Sequence, residues 1–137
     1  MAVVNELIRT EANGTLSFGN YELGEKSKLD NFNHEGDLYK VKTFKEITKL
    51  EKNGSFVYES VPGTTVTDLA MTEDGMTFTV EGAEDAQITV ELADETDYDV
   101  IINGEDTGLI KTNLGGKLSL SVELSNTEKA DVVIKKK

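Results

Sequence analysis

Hydrophobic and polar residues alternate along much of this chain, the period-2 pattern of strands with one buried face. The clearest stretch is 98–124. Tyr98, Val100 and Ile102 alternate with acidic and apolar neighbours, and Leu118, Leu120, Val122 and Leu124 alternate with Ser119, Ser121 and Glu123. Asn103-Gly104 and Gly115-Gly116 mark turns beside these runs, because both residues of a tight hairpin turn must reach positive φ. The same alternation places Met76, Phe78 and Val80 on one face, then Ala86, Ile88, Val90 and Leu92, then Ala130, Val132 and Ile134. From residue 66 onward the pattern predicts seven strands, at 66–71, 76–80, 86–92, 98–103, 107–111, 117–124 and 130–135. Short strands with turns every eight to twelve residues are the picture of a small immunoglobulin-like sandwich.

The first half is less regular. Val4, Leu7 and Ile8 suit a short helical face, whereas Val3-Val4 alone suits a strand edge. Strands are expected at 15–18 and 21–23 around a Gly19-Asn20 hairpin turn, and residues 25–37 read as a polar loop held by Leu29 and Phe32. A strand resumes at 38–43. The next segment has two readings. Thr43-Phe-Lys-Glu46 matches a helix-capping box with Phe44, Ile47 and Leu50 at helical spacing, while Asn53-Gly54 between apolar runs signals a hairpin. The hairpin is preferred, because Phe56-Val-Tyr58 is a strand that needs a neighbour. Val61-Pro62-Gly63 carries the only proline and predicts a type II turn. The expected fold class is therefore all-β, with a small β-rich module at 1–63 followed by an immunoglobulin-like β-sandwich at 64–137.

Charge sharpens that division. The chain of 137 residues has a net charge of −12. Residues 1–66 hold 10 acids and 8 bases, and the remainder holds 16 acids and 6 bases. So acidic a surface repels nucleic acid and anionic lipid, so neither is an expected partner. No run is apolar enough over the length needed to insert in a membrane. The N-terminus has neither a basic region nor a continuous apolar one. If Met1 is the native start, the expected compartment is the cytoplasm; if a signal has been trimmed, it is the cell surface or beyond.

Candidate chemistry is sparse. With no cysteine and a single histidine, His34, the chain cannot assemble a thiolate or multi-histidine metal site, and no cofactor is expected. His34 lies between Asn33 and Glu35-Gly36-Asp37 and is expected to be a solvated loop residue; its functional reading pairs it with Glu35 or Asp37 as a general base or metal ligand. There is no tryptophan, so the aromatics available to stack on a sugar are Tyr21, Phe32 and Tyr39. The apolar stretches Val3-Val4 and Val132-Val133-Ile134 are the expected edge strands, able to add to the sheet of a neighbour.

Two family resemblances accompany these readings. The Tyr-x-Val strand, Asn-Gly turn and Gly-Lys-Leu strand within 98–124 resemble fibronectin-like and immunoglobulin-like modules of bacterial surface and polysaccharide-degrading proteins. The opening V-N-E-L-I-R-T-E-A-N-G-T-L-S-F-G-N-Y, then H-E-G-D-L-Y-K-V-K-T-F-K-E-I-T-K-L-E-K-N-G and F-V-Y-E-S-V-P-G-T, resemble small bacterial proteins labelled endosialidase. The second resemblance implies cleavage within polysialic acid. Sialidases hold the sugar carboxylate with several arginines, because a guanidinium fork meets both oxygens, and this chain has one, Arg9. The residues themselves therefore predict a non-catalytic β-rich protein that self-associates through strand edges, with carbohydrate binding as the alternative.

Overall fold

The computed structural model describes residues 3–124 and 129–137. Met1, on which the expected compartment turns, lies outside them. Strand accounts for 63% of the described residues and no helix occurs among them, which settles residues 44–52 as hairpin. The strands are β1 (Ile8–Thr10), β2 (Leu16–Phe18), β3 (Ser27–His34), β4 (Asp37–Phe44), β5 (Ile47–Lys52), β6 (Ser55–Val61) and β7 (Thr65–Thr72). They continue as β8 (Gly75–Glu81), β9 (Ala86–Glu91), β10 (Asp97–Ile102), β11 (Glu105–Lys111), β12 (Lys117–Val122) and β13 (Lys129–Lys136). They form two antiparallel sheets, ordered β1-β2-β7-β8-β13-β10-β11 and β12-β9-β6-β5-β4-β3.

All seven strands expected after residue 66 are present. Their alternating side chains supply one core with the first half: Met76, Phe78, Val80, Val100, Val132 and Ile134 from one sheet join Tyr39, Val41, Leu50, Tyr58, Ile88 and Leu118 from the other. Both sheets mix strands from the two sides of Pro62, since β2 pairs with β7 and β6 with β9. Pro62 thus sits where the chain crosses from one sheet to the other. Burial of a side chain such as Leu50 or Ile88 contributes roughly 1.5–3 kcal/mol.

Tight turns follow the residue chemistry. Asn53-Gly54 and Asn103-Gly104 both take positive φ at both positions, the geometry that matches strand twist. Glu35-Gly36 does the same between β3 and β4, so the segment 25–37 is mostly strand rather than loop. Its alternation is hidden by a bulge at Asp30-Asn31, where Asn31 has a φ of 59°. Residues 21–23 form a turn and not the expected strand; β2 pairs instead with β1, across the turn at 11–15. Residues 3–7 are neither helix nor strand.

One end of the core is polar. The Thr48 hydroxyl lies 2.8 Å from that of Thr43, donates to the Thr64 carbonyl at 2.7 Å and accepts from the Thr64 amide at 3.0 Å. Tyr58 and Ser60 hydroxyls each lie 2.8 Å from the Thr64 hydroxyl. These groups are buried and satisfied, which is the condition for such a network to stabilise. Burial pushes the Tyr58 phenol well above its ordinary pKa. The Pro62-Gly63 type II expectation fails, because Gly63 has no positive φ. Glycine is needed there for space: a Cβ would run into the Phe44 carbonyl oxygen.

Candidate functional site

Among the described residues four strands have only one neighbour: β1 and β11 at the ends of the larger sheet, β12 and β3 at the ends of the smaller. β11 is the most open, with every residue except Ile110 exposed. Ile110 packs on the core and anchors the strand. Leu109, directly opposite Asp99 on β10, is 47% exposed. Gly108 has a φ of 111°, and its amide donates to the Asp106 carboxylate at 2.8 Å. Leu114, in the turn that follows, is 76% exposed.

The residues expected at edges lie elsewhere. Val132, Val133 and Ile134 occupy β13, which is paired on both sides, with β8 and β10. Their hydrophobicity serves an interior position: Val132 and Ile134 are fully buried. Val4 is buried outside any strand, its amide donating to the Gly19 carbonyl at 3.1 Å, and Val3 is half-buried beside it. The three aromatics do not form a stacking platform. Tyr21 and Tyr39 are buried, and Phe32 packs half-buried against the core.

His34 is buried as well, contrary to the solvated loop expected of it. It ends β3, packed edge-on to Tyr39 at 5.7 Å between ring centres. Its Nδ1 lies 2.8 Å from the Thr10 hydroxyl on β1, and its Nε2 lies 3.6 Å from a Glu35 carboxylate oxygen. A hydroxyl, an imidazole and a carboxylate in this order have the chemistry of a nucleophile, base and orienting acid. The Glu35 carboxylate, however, is 71% exposed and beyond hydrogen-bond range. What the contact does is join β1 of one sheet to β3 of the other. Thr10 lies 24 positions away in sequence, so only the fold reveals the pair.

Around His34 is a hollow of about 170 Å³ shared with Asp37, Tyr39, Lys52, Leu69 and Met71. Asn53 donates to the Asp37 carboxylate at 2.9 Å and Lys52 lies 3.4 Å away. The Asn53 hydrogen bond foremost, and Lys52 with it, hold that carboxyl below its ordinary pKa. Burial foremost, then Asp37 and Glu35, raise the Tyr39 phenol. A larger groove of about 320 Å³ crosses the outer side of β3, β4 and β5, lined by Asn31, Leu38, Lys40, Glu51 and Asn53 among others. Among the described residues no three His, Asp or Glu side chains are gathered to hold a metal ion. Comparisons of the chain with protein-family models, curated proteins and solved structures return no match.

Proposed function

We propose that this chain is a non-catalytic β-sandwich interaction protein that associates with further copies of itself through a free strand edge. The observation that carries the reading is β11, a seven-residue strand paired on one side only among the described residues, exposed at every position but Ile110 and bearing the apolar Leu109. An unpaired strand offers a row of backbone donors and acceptors to a second chain. The edge expected from sequence thereby moves from β13 to β11, while the kind of interaction is unchanged. Light scattering across a concentration series tests this: mass should rise above that of one chain, and a monomer at every concentration overturns it.

Carbohydrate binding is the second reading, supported by the groove over β3, β4 and β5 with its amide and carboxylate lining. Polar groups that fix orientation within a concave surface suit a ligand rich in hydroxyls. Binding to a glycan array that is lost on Asn53→Ala would favour it over self-association. Cleavage of polysialic acid has less support, because Arg9 is already engaged by Glu11 at 3.0 Å and Glu6 at 3.5 Å. The immunoglobulin-like reading of residues 64–137 rests on seven short antiparallel strands divided between two packed sheets.

A further inference from the structure

Half of the chain's 14 basic residues fall in 26–52. Register brings several of them together. Lys28 on β3 is directly opposite Lys42 on β4, and Lys42 is directly opposite Lys49 on β5. Residues opposite each other in an antiparallel sheet point to the same side, and Tyr39, Val41, Thr48 and Leu50 take the inner side. Three lysines therefore form one row across the outer face of three strands, at about 4.8 Å per strand.

Like charges directly opposite destabilise a sheet, and this chain has 26 acids with which to avoid them. Neighbouring positions do so: Lys40 faces Glu51, Lys49 lies 3.7 Å from Glu51 and faces Glu59 on its other side, and Lys52 meets Asp37. Lys28 and Lys42 are the exceptions, with no carboxylate in ion-pair range among the described residues. Lysine often protects a free edge from pairing. That accounts for Lys28 on β3 but not for Lys42 and Lys49, whose strands are flanked on both sides. Burial, then repulsion from Lys26, Lys28, Lys49 and Lys40, lowers the Lys42 ammonium below its ordinary range. A small hollow of about 40 Å³ opens between Lys40, Lys42, Lys49 and Glu51, next to the larger groove that Lys40 and Glu51 also line.

We infer that the Lys28-Lys42-Lys49 row is a binding site for a tetrahedral oxyanion, a phosphate or sulfate group. Three cationic donors are better matched by a tetrahedral anion with three or more acceptor oxygens than by a single carboxylate, and each contact is a charge-assisted hydrogen bond. The group is either the free ion or an ester carried on a polymer. Occupancy turns the mutual repulsion of the row into shared attraction, so the site costs stability when empty and returns it when filled. This inference does not depend on self-association, which is placed at β11.

The test uses the full chain titrated with inorganic phosphate, inorganic sulfate and heparin, followed by amide NMR shifts and thermal melting. Shifts should centre on Lys28, Lys42 and Lys49, and the anion should raise the melting temperature. Lys42→Gln should bind about tenfold more weakly, yet melt higher than wild type in low-salt, anion-free buffer. Lys42→Arg should keep binding, and Lys117→Gln, which removes a lysine already 2.6 Å from Glu91, should bind as wild type. Tighter binding of heparin than of the free ions assigns an ester on a polymer; equal or weaker binding assigns the free ion. Unchanged affinity in Lys42→Gln, or no shifts at the row with any of the three probes, overturns the proposal.

Discussion

β13 and β11 flank the same strand, β10, and differ in almost every other respect. β13 is apolar, alternately buried, and hydrogen-bonded on both sides. β11 is polar, exposed and paired on one side. Read as a string, β13 looks the stickier of the two. In the folded chain its apolar side chains are spent on the core, and the strand able to take a partner is the one with little hydrophobic content. Apolar alternation therefore reports depth in a sandwich, whereas free hydrogen-bonding capacity depends on sheet order.

The largest expected effect tests the interior half of that contrast. Ile134→Ala removes a fully buried side chain at the middle of a sheet and should cost about 2–5 kcal/mol, measured by urea unfolding. Thr48→Val should cost less, about 1–3 kcal/mol, by leaving the Thr64 amide and carbonyl without the hydroxyl that serves both. On the exposed strand, Leu109→Lys should change stability by no more than about 0.5 kcal/mol while reducing mass in light scattering. Equal losses in stability at β11 and β13 would erase the distinction between them.

The smallest effect concerns pH. The Asp37 carboxyl titrates below its ordinary value because Asn53 and Lys52 favour its charged form. Its folded pKa is depressed, so its contribution to stability is present above the unfolded carboxylate pKa and is lost as pH falls through the folded one. An NMR titration of Asp37 should give a midpoint below the usual range, and Asn53→Ala should move it upward. An unchanged midpoint in that variant would remove Asn53 as the main cause.

Much of the architecture was legible in residue order. Period-2 alternation located all seven later strands, and Asn-Gly pairs located two hairpins. What escaped has a common physical origin. β3 was hidden because an edge strand needs few apolar residues and because a bulge at Asp30-Asn31 breaks its period. The Thr10-His34 contact joins different sheets, and no local spacing encodes that. The lysine row left a partial trace, since Lys26 and Lys28, and Lys40 and Lys42, are each two positions apart and so share a face. Only the pairing of strands turns those two short patterns into one surface.

The interior place of β13 also bears on how the chain is made. β8 and β10 precede β13 and are each paired to it in the finished sheet. While the chain is being synthesised, both expose an edge until the later strand emerges, and β8 and β10 are not neighbours that could pair with one another in the native order. The larger sheet thus closes late, over long sequence separations, which slows folding and lengthens the time its strands stay open to other chains. A ribosome stalled between β11 and β13 would hold a nascent chain whose β8 and β10 are still open on the sides that β13 covers in the released protein.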